Sequence, residues 1–190
     1  MSRATRSDSG DSLRLLREAD LEQVLAWRNT PEVRAVMYTS REIDWAEHAA
    51  WFERLQRDRS RCTCVFMADG EPMGVVNFTH IDTMIGEAHW GFYVRPGAPK
   101  GIGIRLGRVA LAHAFELLKL NRLIGEVLAS NEASLRFHRK LGFELEQILG
   151  AHHRDGNTAQ DVHVFSLARA AWRRDRATDK RAPAFLGETP

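Results

Sequence analysis

One segment limits the fold of this chain more than any other: an apolar strand that runs through a glycine-containing loop into a long helix. The strand reads "GEAHWGFYVRP", the loop "GAPK" and the helix "GIGIRLGRVALAHAFELLKL". The helix has a stripe of apolar residues at helical spacing, formed by Leu106, Ala110, Leu111, Ala114 and Leu118. This stripe predicts one buried face. A strand that leads directly into such a helix is typical of a sheet covered by helices.

The rest of the chain supplies further strands and helices in the order βααβββαβαββ. The other strands are predicted in "LRLLREA", "RCTCVFMA", "PMGVVNFTHI", "RLIGEVLA", "FELEQILGAHHR" and "AQDVHVFSLAR". The other helices are predicted in "DLEQVLAWRNTPEVRAVM", capped by Asp20 and broken near Pro31, in "DWAEHAAWFERLQRDR" and in "NEASLRFHRKLGF". This order predicts an α+β sandwich, in which helices cover both faces of a mixed central sheet of about seven strands.

The composition is that of a soluble globular domain. The chain has 190 residues, of which 44% are apolar and 27% charged. We expect a disordered N-terminus over residues 1–11, one domain over 12–170 and a flexible, charged C-terminal tail over 171–190. A net charge of only +2 does not indicate a nucleic-acid binder, and no apolar run approaches the ~20 residues that cross a bilayer. The polar start of the chain resembles no secretion signal, which favours a cytoplasmic location.

The two cysteines, Cys62 and Cys64, stand one residue apart in a predicted strand. This spacing does not suit a usual disulfide, and no further cysteine completes a zinc set. We therefore expect reduced thiols in a strand and no metal site.

The glycine-containing loop is a candidate phosphate site. Gly101 and Gly103 let a ligand approach the backbone, and successive N–H groups from Lys100 to Arg105 at a helix start would attract a pyrophosphate. The side chains of Lys100 and Arg105 add positive charge. The loop "GIGIRLG" is neither a complete dinucleotide fingerprint nor a Walker loop. A helix entry where glycine merely relieves crowding therefore stays an open alternative.

The loop "VRPGAPKGIGIRLG", followed about thirty residues later by "NEASLRFHRKLGF", resembles the GNAT superfamily of acyl-CoA-dependent N-acyltransferases. This resemblance implies acetyl-CoA as co-substrate, no metal cofactor, and a splayed strand that aligns the pantetheine arm and the acetyl carbonyl. The residues implied to bind acetyl-CoA are Phe92, Tyr93, Val94, Lys100, Gly101, Ile102, Gly103, Ile104, Arg105 and Asn131. The usual loop pattern begins with Gln or Arg, whereas this chain has Ala98, so one polar contact is absent.

A second set of fragments, "WRN.P", "MY.S", "NFTHI" and "GFY", resembles one branch of that superfamily, the N-acetyltransferases of pseudaminic acid biosynthesis. This resemblance implies transfer to the 4-amino group of a UDP-linked 4-amino-4,6-dideoxy sugar. The implied substrate-binding residues are Arg28, Asn29, His48, Thr79, His80 and Tyr93. His80 replaces a lysine that is frequent in the branch. The neighbouring tryptophans are expected to be packing residues, and a homodimer is left open.

The family usually has a tyrosine seven residues after the helix asparagine, to protonate the departing thiolate. Counting from Asn131 gives His138 here, and its ordinary pKa near 6.5 suits a general acid. We therefore expect His138→Ala to lower turnover far more than acetyl-CoA affinity. The alternative is a core histidine bonded to a backbone carbonyl. For the general base, Glu126 is preferred to Glu87 because its strand leads directly into the Asn131 helix.

Two other functions remain open at this stage. A GNAT acetyltransferase for ribosomal proteins, peptides or other small amines would need a groove for its acceptor. A non-catalytic acyl-CoA sensor would bind acetyl-CoA and release no CoA with any amine. A nucleotide-linked amino sugar is the preferred partner, and neither nucleic acid nor a membrane is expected.

Overall fold

Eight strands form one sheet in this computed structural model, which describes residues 5–6, 10–155 and 158–178. In chain order the strands are β1 (Thr5–Arg6), β2 (Ser12–Leu15), β3 (Cys62–Ala68), β4 (Glu71–Asp82), β5 (Glu87–Val94), β6 (Arg122–Leu128), β7 (Glu144–Asp155) and β8 (Thr158–Ala168). The order across the sheet is β1-β2-β3-β4-β5-β6-β8-β7. Neighbouring strands are antiparallel except β5 and β6, which are parallel. The predicted mixed sheet is confirmed, with the two-residue β1 as an addition.

The helices follow the predicted order. They are α1 (Leu21–Arg28), α2 (Pro31–Arg34), α3 (Trp45–Arg57), α4 (Ile102–Ala112), α5 (Glu132–Lys140) and α6 (Arg169–Thr178). The break near Pro31 is confirmed, because this proline opens α2, where its missing N–H costs no helical hydrogen bond. The helix α4 continues into a π-helical turn, His113–Leu117. Asp20 does not cap α1 with its side chain and instead accepts hydrogen bonds from Arg14 at 2.6 Å and from the backbone N–H of Arg17.

Helices cover both faces of the sheet, as predicted. On one face, Val24 of α1 and Phe52 of α3 pack against Val65 and Val75 of the central strands. On the other face, the larger cluster joins α4, α5 and α6 to the sheet through residues that include Leu106, Leu135 and Trp172. Alternation along the strands sends successive side chains to opposite faces, so the same strands serve both clusters.

The flexible tail predicted from residue 171 is wrong for the described part of that segment. Trp172 is buried, and its ring lies 5.2 Å from the ring of Phe115. The guanidinium of Arg176 lies over the indole at 4.9 Å. One aromatic anchor thus holds a highly charged segment as α6 against the domain. Residues 179–190 lie outside the described residues.

The disordered N-terminus predicted for residues 1–11 is also wrong in part. Thr5 and Arg6 pair with β2, and Asp11 is buried with a carboxylate that accepts a hydrogen bond from Arg105 Nε at 2.9 Å. A buried charge needs such a partner, and the sequence does not reveal it. Residues 1–4 and 7–9 lie outside the described residues. Within the part of the chain that the structure describes, no helix combines the length and the apolar character needed to cross a membrane.

Candidate active site

A wedge-shaped opening separates the C-terminal ends of β5 and β6. The two strands pair only where Glu87–Trp90 face Arg122–Gly125. Beyond that point β5 remains bonded to β4 and β6 remains bonded to β8. The splayed strand implied by the family resemblance is therefore present.

A cavity of about 880 Å³ passes through this opening and is lined from both faces of the sheet. On the face that carries α4 and α5, which we call the α5 side, its walls include Trp90, Phe92, Val94, Gly103, Asn131, Phe137 and His138. On the face that carries α1 and α3, which we call the α1 side, they include Met37, Tyr38, Asn77, Thr79, His80, His89, Tyr93 and Glu126. A volume of this size is typical of a small-molecule site.

The backbone of β5 presents donors to the opening at alternate residues. Arg95 N donates to Met73 O at 2.9 Å, which makes these two residues a hydrogen-bonded pair. Because such pairs alternate along an antiparallel ladder, the N–H groups of Phe92 and Val94 face the opening, whereas that of Tyr93 faces β4. The expected backbone contacts of Phe92 and Val94 with an acetyl carbonyl are therefore sterically available, and that of Tyr93 is not.

The glycine loop has the geometry needed for an approaching phosphate. Gly101 has a φ of 92°, a left-handed conformation that favours glycine, and a Cβ built there would meet no atom within 4 Å. The 11-residue helix α4 begins directly after it. Open space at a helix start, where N–H groups concentrate positive potential, fits a pyrophosphate.

The donors of this loop are fewer than the sequence suggested. The N–H of Ile102 donates to Pro99 O at 3.2 Å, and those of Ile104 and Arg105 donate to Gly101 O at 3.1 and 3.2 Å. Lys100, Gly101 and Gly103 remain as the backbone donors that we assign to a ligand. The side chain of Ile102 lies in the core.

The guanidinium of Arg105 does not offer the free charge that was expected of it. It donates to Asp11 and, through NH1, to Asp69 at 3.1 Å. These two carboxylates raise the pKa of Arg105 and compensate its charge. Lys100 is exposed and is the cation of the loop that fits the predicted role.

Asn131 caps α5. Its side-chain oxygen accepts a hydrogen bond from Ser134 N at 3.0 Å. Leu135 and His138 of α5 are buried, while Ser134 borders the cavity.

His138 has the environment of a core residue although it borders the cavity. It is only 3% exposed, and its Nδ1 donates to Ser134 O at 2.8 Å. Its ring stacks on Phe165 at 5.3 Å, and Nε2 lies so close to β6 that a Cβ at Gly125 would come within 2.5 Å of it. Burial lowers the pKa of His138 below its ordinary value, so the imidazole is neutral at neutral pH.

This environment removes the premise for a general acid at His138. The expectation relied on an ordinary histidine pKa, whereas the folded protein favours the uncharged form and uses the Nδ1 proton for a backbone carbonyl. The alternative of a core histidine bonded to a carbonyl agrees with this geometry. The glycine at position 125 is the feature that admits the ring.

A cluster of polar groups occupies the α1 side of the cavity. The hydroxyl of Tyr38 donates to Glu126 Oε2 at 2.7 Å, and Nδ1 of His89 lies 3.5 Å from Glu126 Oε1. Hydrogen bonds from His89 and then from Tyr38 outweigh burial and lower the pKa of Glu126 to about 2. Glu126 is therefore a fixed anion, and His89 is the partner in contact with it. Glu87, the other candidate base, instead pairs with Arg122 at 3.0 Å.

Sequence reasoning missed His89, although a signal was present. His89, Gly91 and Tyr93 alternate along β5, so they share the α1 side with Glu126. The predicted residues Thr79 and His80 also border the cavity. His80 has a φ of 51° at a register shift of β4, and its ring meets His89 edge-on at 5.1 Å. A bulge of this kind re-aims a side chain next to a site.

Arg28 and Asn29 hold the neighbouring loop and do not line the cavity. Arg28 donates to Thr39 O at 2.7 Å, and the amide of Asn29 both donates to Ile43 O and accepts from Ile43 N. The loop between these anchors includes Tyr38, which does line the cavity. The amide of Asn29 is committed to backbone groups, whereas Arg28 Nη1 has no hydrogen-bond partner among the described residues. Substrate contact by these two residues stays a prediction.

His48 is likewise not a cavity residue. It is 5% exposed and stacks on Trp51 at 5.1 Å inside α3. Burial lowers its pKa, so it is a neutral packing residue between two tryptophans. The predicted helix is confirmed, whereas the side chain of His48 lies away from the cavity.

Comparison with known proteins agrees with this architecture. The chain matches the family described as "Acetyltransferase (GNAT) domain" over residues 12–144. The chain belongs to the GNAT acetyltransferase family. It is an N-acetyltransferase, and GNAT acetyltransferases use acetyl-CoA.

The named relatives include acetyltransferases with different functions. The acetyltransferase PseH of Campylobacter jejuni (strain 81-176) is 31% identical over 130 residues, which cover 68% of this chain and 80% of PseH. The spermidine N(1)-acetyltransferase of Escherichia coli K12 is 27% identical over 135 residues, which cover 70% of this chain and 73% of that enzyme. A structure of spermidine N-acetyltransferase from Vibrio cholerae, in complex with CoA and spermine, has a TM-score of 0.81 at 19% identity, covering 87% of this chain and 99% of the other. At that identity, the structural similarity shows the shared GNAT fold.

Proposed function

We propose that this GNAT enzyme acetylates the amino group of a nucleotide-linked amino sugar, of the UDP-linked 4-amino-4,6-dideoxy type used in pseudaminic acid biosynthesis. The observation that carries the proposal is the chemistry of the α1 side, where aromatic rings and histidines outnumber carboxylates. The similarity to PseH supports it, as does the set of fragments shared with that branch.

A polyamine is the second candidate, because spermidine acetyltransferases are among the relatives. A polyamine has several positive charges, and its recognition requires carboxylates. Among the described residues that line the cavity, the carboxylates are Glu32 and Glu126. Glu126 already interacts with His89 and Tyr38. This leaves exposed Glu32 as the remaining anion, which disfavours a polycation.

A nucleotide sugar has better partners in the same cavity. Tyr38 is 45% exposed and offers a ring for stacking a base. Arg95 and His80 border the cavity and would face the phosphates. Thr79 provides a hydroxyl for the sugar.

The pair formed by Glu126 and His89 is the proposed proton acceptor. The carboxylate of Glu126 accepts from Nδ1 of His89, which leaves Nε2 to take the proton of the attacking amine. The anion then stabilises the imidazolium, as carboxylates do in other carboxylate–histidine pairs. This assignment retains Glu126 as a catalytic residue in a supporting role and adds His89.

On the α5 side, the proposed contacts hold acetyl-CoA. The N–H groups of Lys100, Gly101 and Gly103 would bind its pyrophosphate, and those of Phe92 and Val94 would polarise the carbonyl. The amide oxygen of Asn131 caps α5, so its nitrogen is the atom assigned to the pantetheine arm. Bound acetyl-CoA supplies the activated acyl group, and the protein orients it toward the amine through the opening between β5 and β6.

The test is CoA release with purified protein and a panel of amines: a UDP-4-amino-4,6-dideoxy sugar, another nucleotide amino sugar, spermidine and a peptide N-terminus. We expect the highest kcat/KM with the UDP-4-amino sugar. Glu32→Gln is the discriminating variant, since it should leave that value unchanged and would weaken use of a polyamine. A preference for spermidine that is lost in Glu32→Gln would overturn the proposal, and no CoA release with any amine would favour an acyl-CoA sensor.

A further inference from the structure

A second cluster of reactive side chains lies away from the cavity, beneath the C-terminal end of α4. Cys62 and Cys64 alternate along β3 and therefore point to the same face of the sheet. Their sulfur atoms are 3.7 Å apart. His113, which begins the π-helical turn after α4, brings a ring nitrogen close enough that the three potential ligand atoms all lie within 4.8 Å of one another.

The spacing of the two sulfurs matches a shared metal ion. Two thiolates bound to one tetrahedral Zn(II) at about 2.3 Å each are about 3.8 Å apart. A disulfide requires the same atoms at about 2.05 Å, and its Cα atoms must lie within about 7 Å. Residues two apart in an extended strand lie near that upper limit. The observed separation of 3.7 Å is therefore compatible with two ligands of one ion and is too long for a disulfide bond.

The ligand set has a clear chemical preference. Two sulfurs and one imidazole are soft or borderline donors, which select Zn(II) or Cu(I) and disfavour Mg²⁺ and Ca²⁺.

Two of the three potential ligands are buried, and the third is partly exposed to solvent. Cys64 is fully buried and His113 is 4% exposed, with its ring stacked on Phe78 at 5.5 Å and 13°. Cys62 is partly exposed. An ion can therefore enter past Cys62, and an exogenous fourth ligand can reach it there.

The π-helical turn at His113 also supports a specialised role. The N–H of Leu118 donates to His113 O at 2.9 Å, five residues back. Such turns interrupt ordinary α-helices and frequently occur at functional sites. Here the turn begins at the residue that completes the cluster.

We propose that Cys62, Cys64 and His113 bind one thiophilic metal ion, Zn(II) with an exogenous fourth ligand or Cu(I) with these three alone. The bound ion links β3 to the end of α4 and therefore stabilises the folded protein. The expectation of no metal site followed from the cysteines alone, since His113 is 49 positions beyond Cys64 in the chain.

The test uses the full chain, reduced and free of metal, in competition with a chromophoric chelator for Zn(II) and, in a separate arm without oxygen, for Cu(I). We expect one equivalent of at least one ion to be retained, a raised Tm with that ion, and the visible bands of a tetrahedral thiolate site with Co(II). Cys62→Ser and Cys64→Val should each lose the bound equivalent. Valine suits the apolar surroundings of position 64, and serine suits the partly exposed position 62.

His152→Ala is the matched control, because it removes an exposed histidine outside the cluster and should retain the full equivalent. Failure of the wild type to retain either ion would overturn the proposal. So would equal retention by the wild type and both cysteine variants. Spontaneous loss of both free thiols without metal would overturn it in favour of a disulfide.

Discussion

The two sides of the cavity each contain a histidine, and the two have opposite surroundings. On the α5 side, His138 is 3% exposed, stacked on aromatic rings and bonded to a backbone carbonyl. On the α1 side, the side chain of His89 is 37% exposed and faces the carboxylate of Glu126. Burial without a charged partner favours the neutral form of His138, whereas His89 has an anionic partner in Glu126.

The position of a histidine in a motif therefore does not determine its chemistry. His138 occupies the position at which the family resemblance implies a proton donor, yet its burial and its bond to Ser134 O are features of a packing residue. His89 belongs to no motif, yet it lies in contact with an anion in the cavity. We infer that the α5 side orients acetyl-CoA and that the α1 side accepts the proton of the attacking amine.

The largest expected effect comes from removing the anion of the α1 side. Glu126→Gln should lower kcat by about 100-fold or more, since general-base catalysis typically contributes 10²–10⁴-fold. Steady-state kinetics with the preferred acceptor measure it. Glu87→Gln is the matched control, because Glu87 pairs with Arg122 outside the cavity and its loss should change kcat less than about twofold. Equal losses in both variants would contradict the assignment.

A smaller effect is expected at the glycine loop of the α5 side. Gly101→Ala should raise the KM for acetyl-CoA by about fivefold to tenfold, because alanine at a φ of 92° costs about 1–2 kcal/mol. The kcat of the variant at saturating acetyl-CoA should equal that of the wild type. Gly150→Ala is the control, since a Cβ there meets nothing closer than 3.9 Å and φ is not left-handed. A fall in kcat with an unchanged KM would assign the loop to the chemical step.

Tyr38→Phe should have a moderate effect, about fivefold on kcat, because it removes one of the hydrogen bonds that fix Glu126. The pKa of Glu126 in the folded protein is about 2, below its ordinary value of 4.5. The interactions of ionised Glu126 therefore stabilise the folded protein above about pH 4.5, and this stabilisation is lost as the pH falls toward 2. The Tm difference between wild type and variant should therefore be largest above that window and shrink below it. Thermal unfolding of both proteins between pH 2 and 7 measures how this Tm difference changes with pH. A difference that grows toward acid would contradict the bond to an ionised Glu126.

The smallest effect on turnover is expected from His138→Leu. The ring acts by packing, so kcat should stay within about threefold while Tm falls, as for other substitutions that leave a core imperfectly filled. The pH dependence of kcat should keep its shape, because His138 is neutral throughout the neutral range. Loss of turnover by about 100-fold at an unchanged Tm would restore the general-acid assignment.

The fold was predictable from the sequence because local patterns determine it. The stripe of α4 and the break at Pro31 are both short-range signals, and the structure confirms them. The C-terminal helix was missed because one tryptophan, Trp172, anchors a segment that is otherwise charged.

The site was predictable only in part. The glycine loop and the residues of β4 follow from local motifs, whereas the partners of Arg105, His48 and Arg28 are set by tertiary contacts. The carboxylate of Asp11 reaches Arg105 from 94 positions away in the chain. The face on which His48 lies depends on how α3 packs, which its own sequence leaves open.

The most direct test of the central claim compares kcat for His89→Leu and His138→Leu with the same acceptor at saturating acetyl-CoA. We expect kcat to fall by about 100-fold for His89→Leu and by less than about threefold for His138→Leu. The reverse order, with the larger loss at His138, would contradict the division of roles between the two sides.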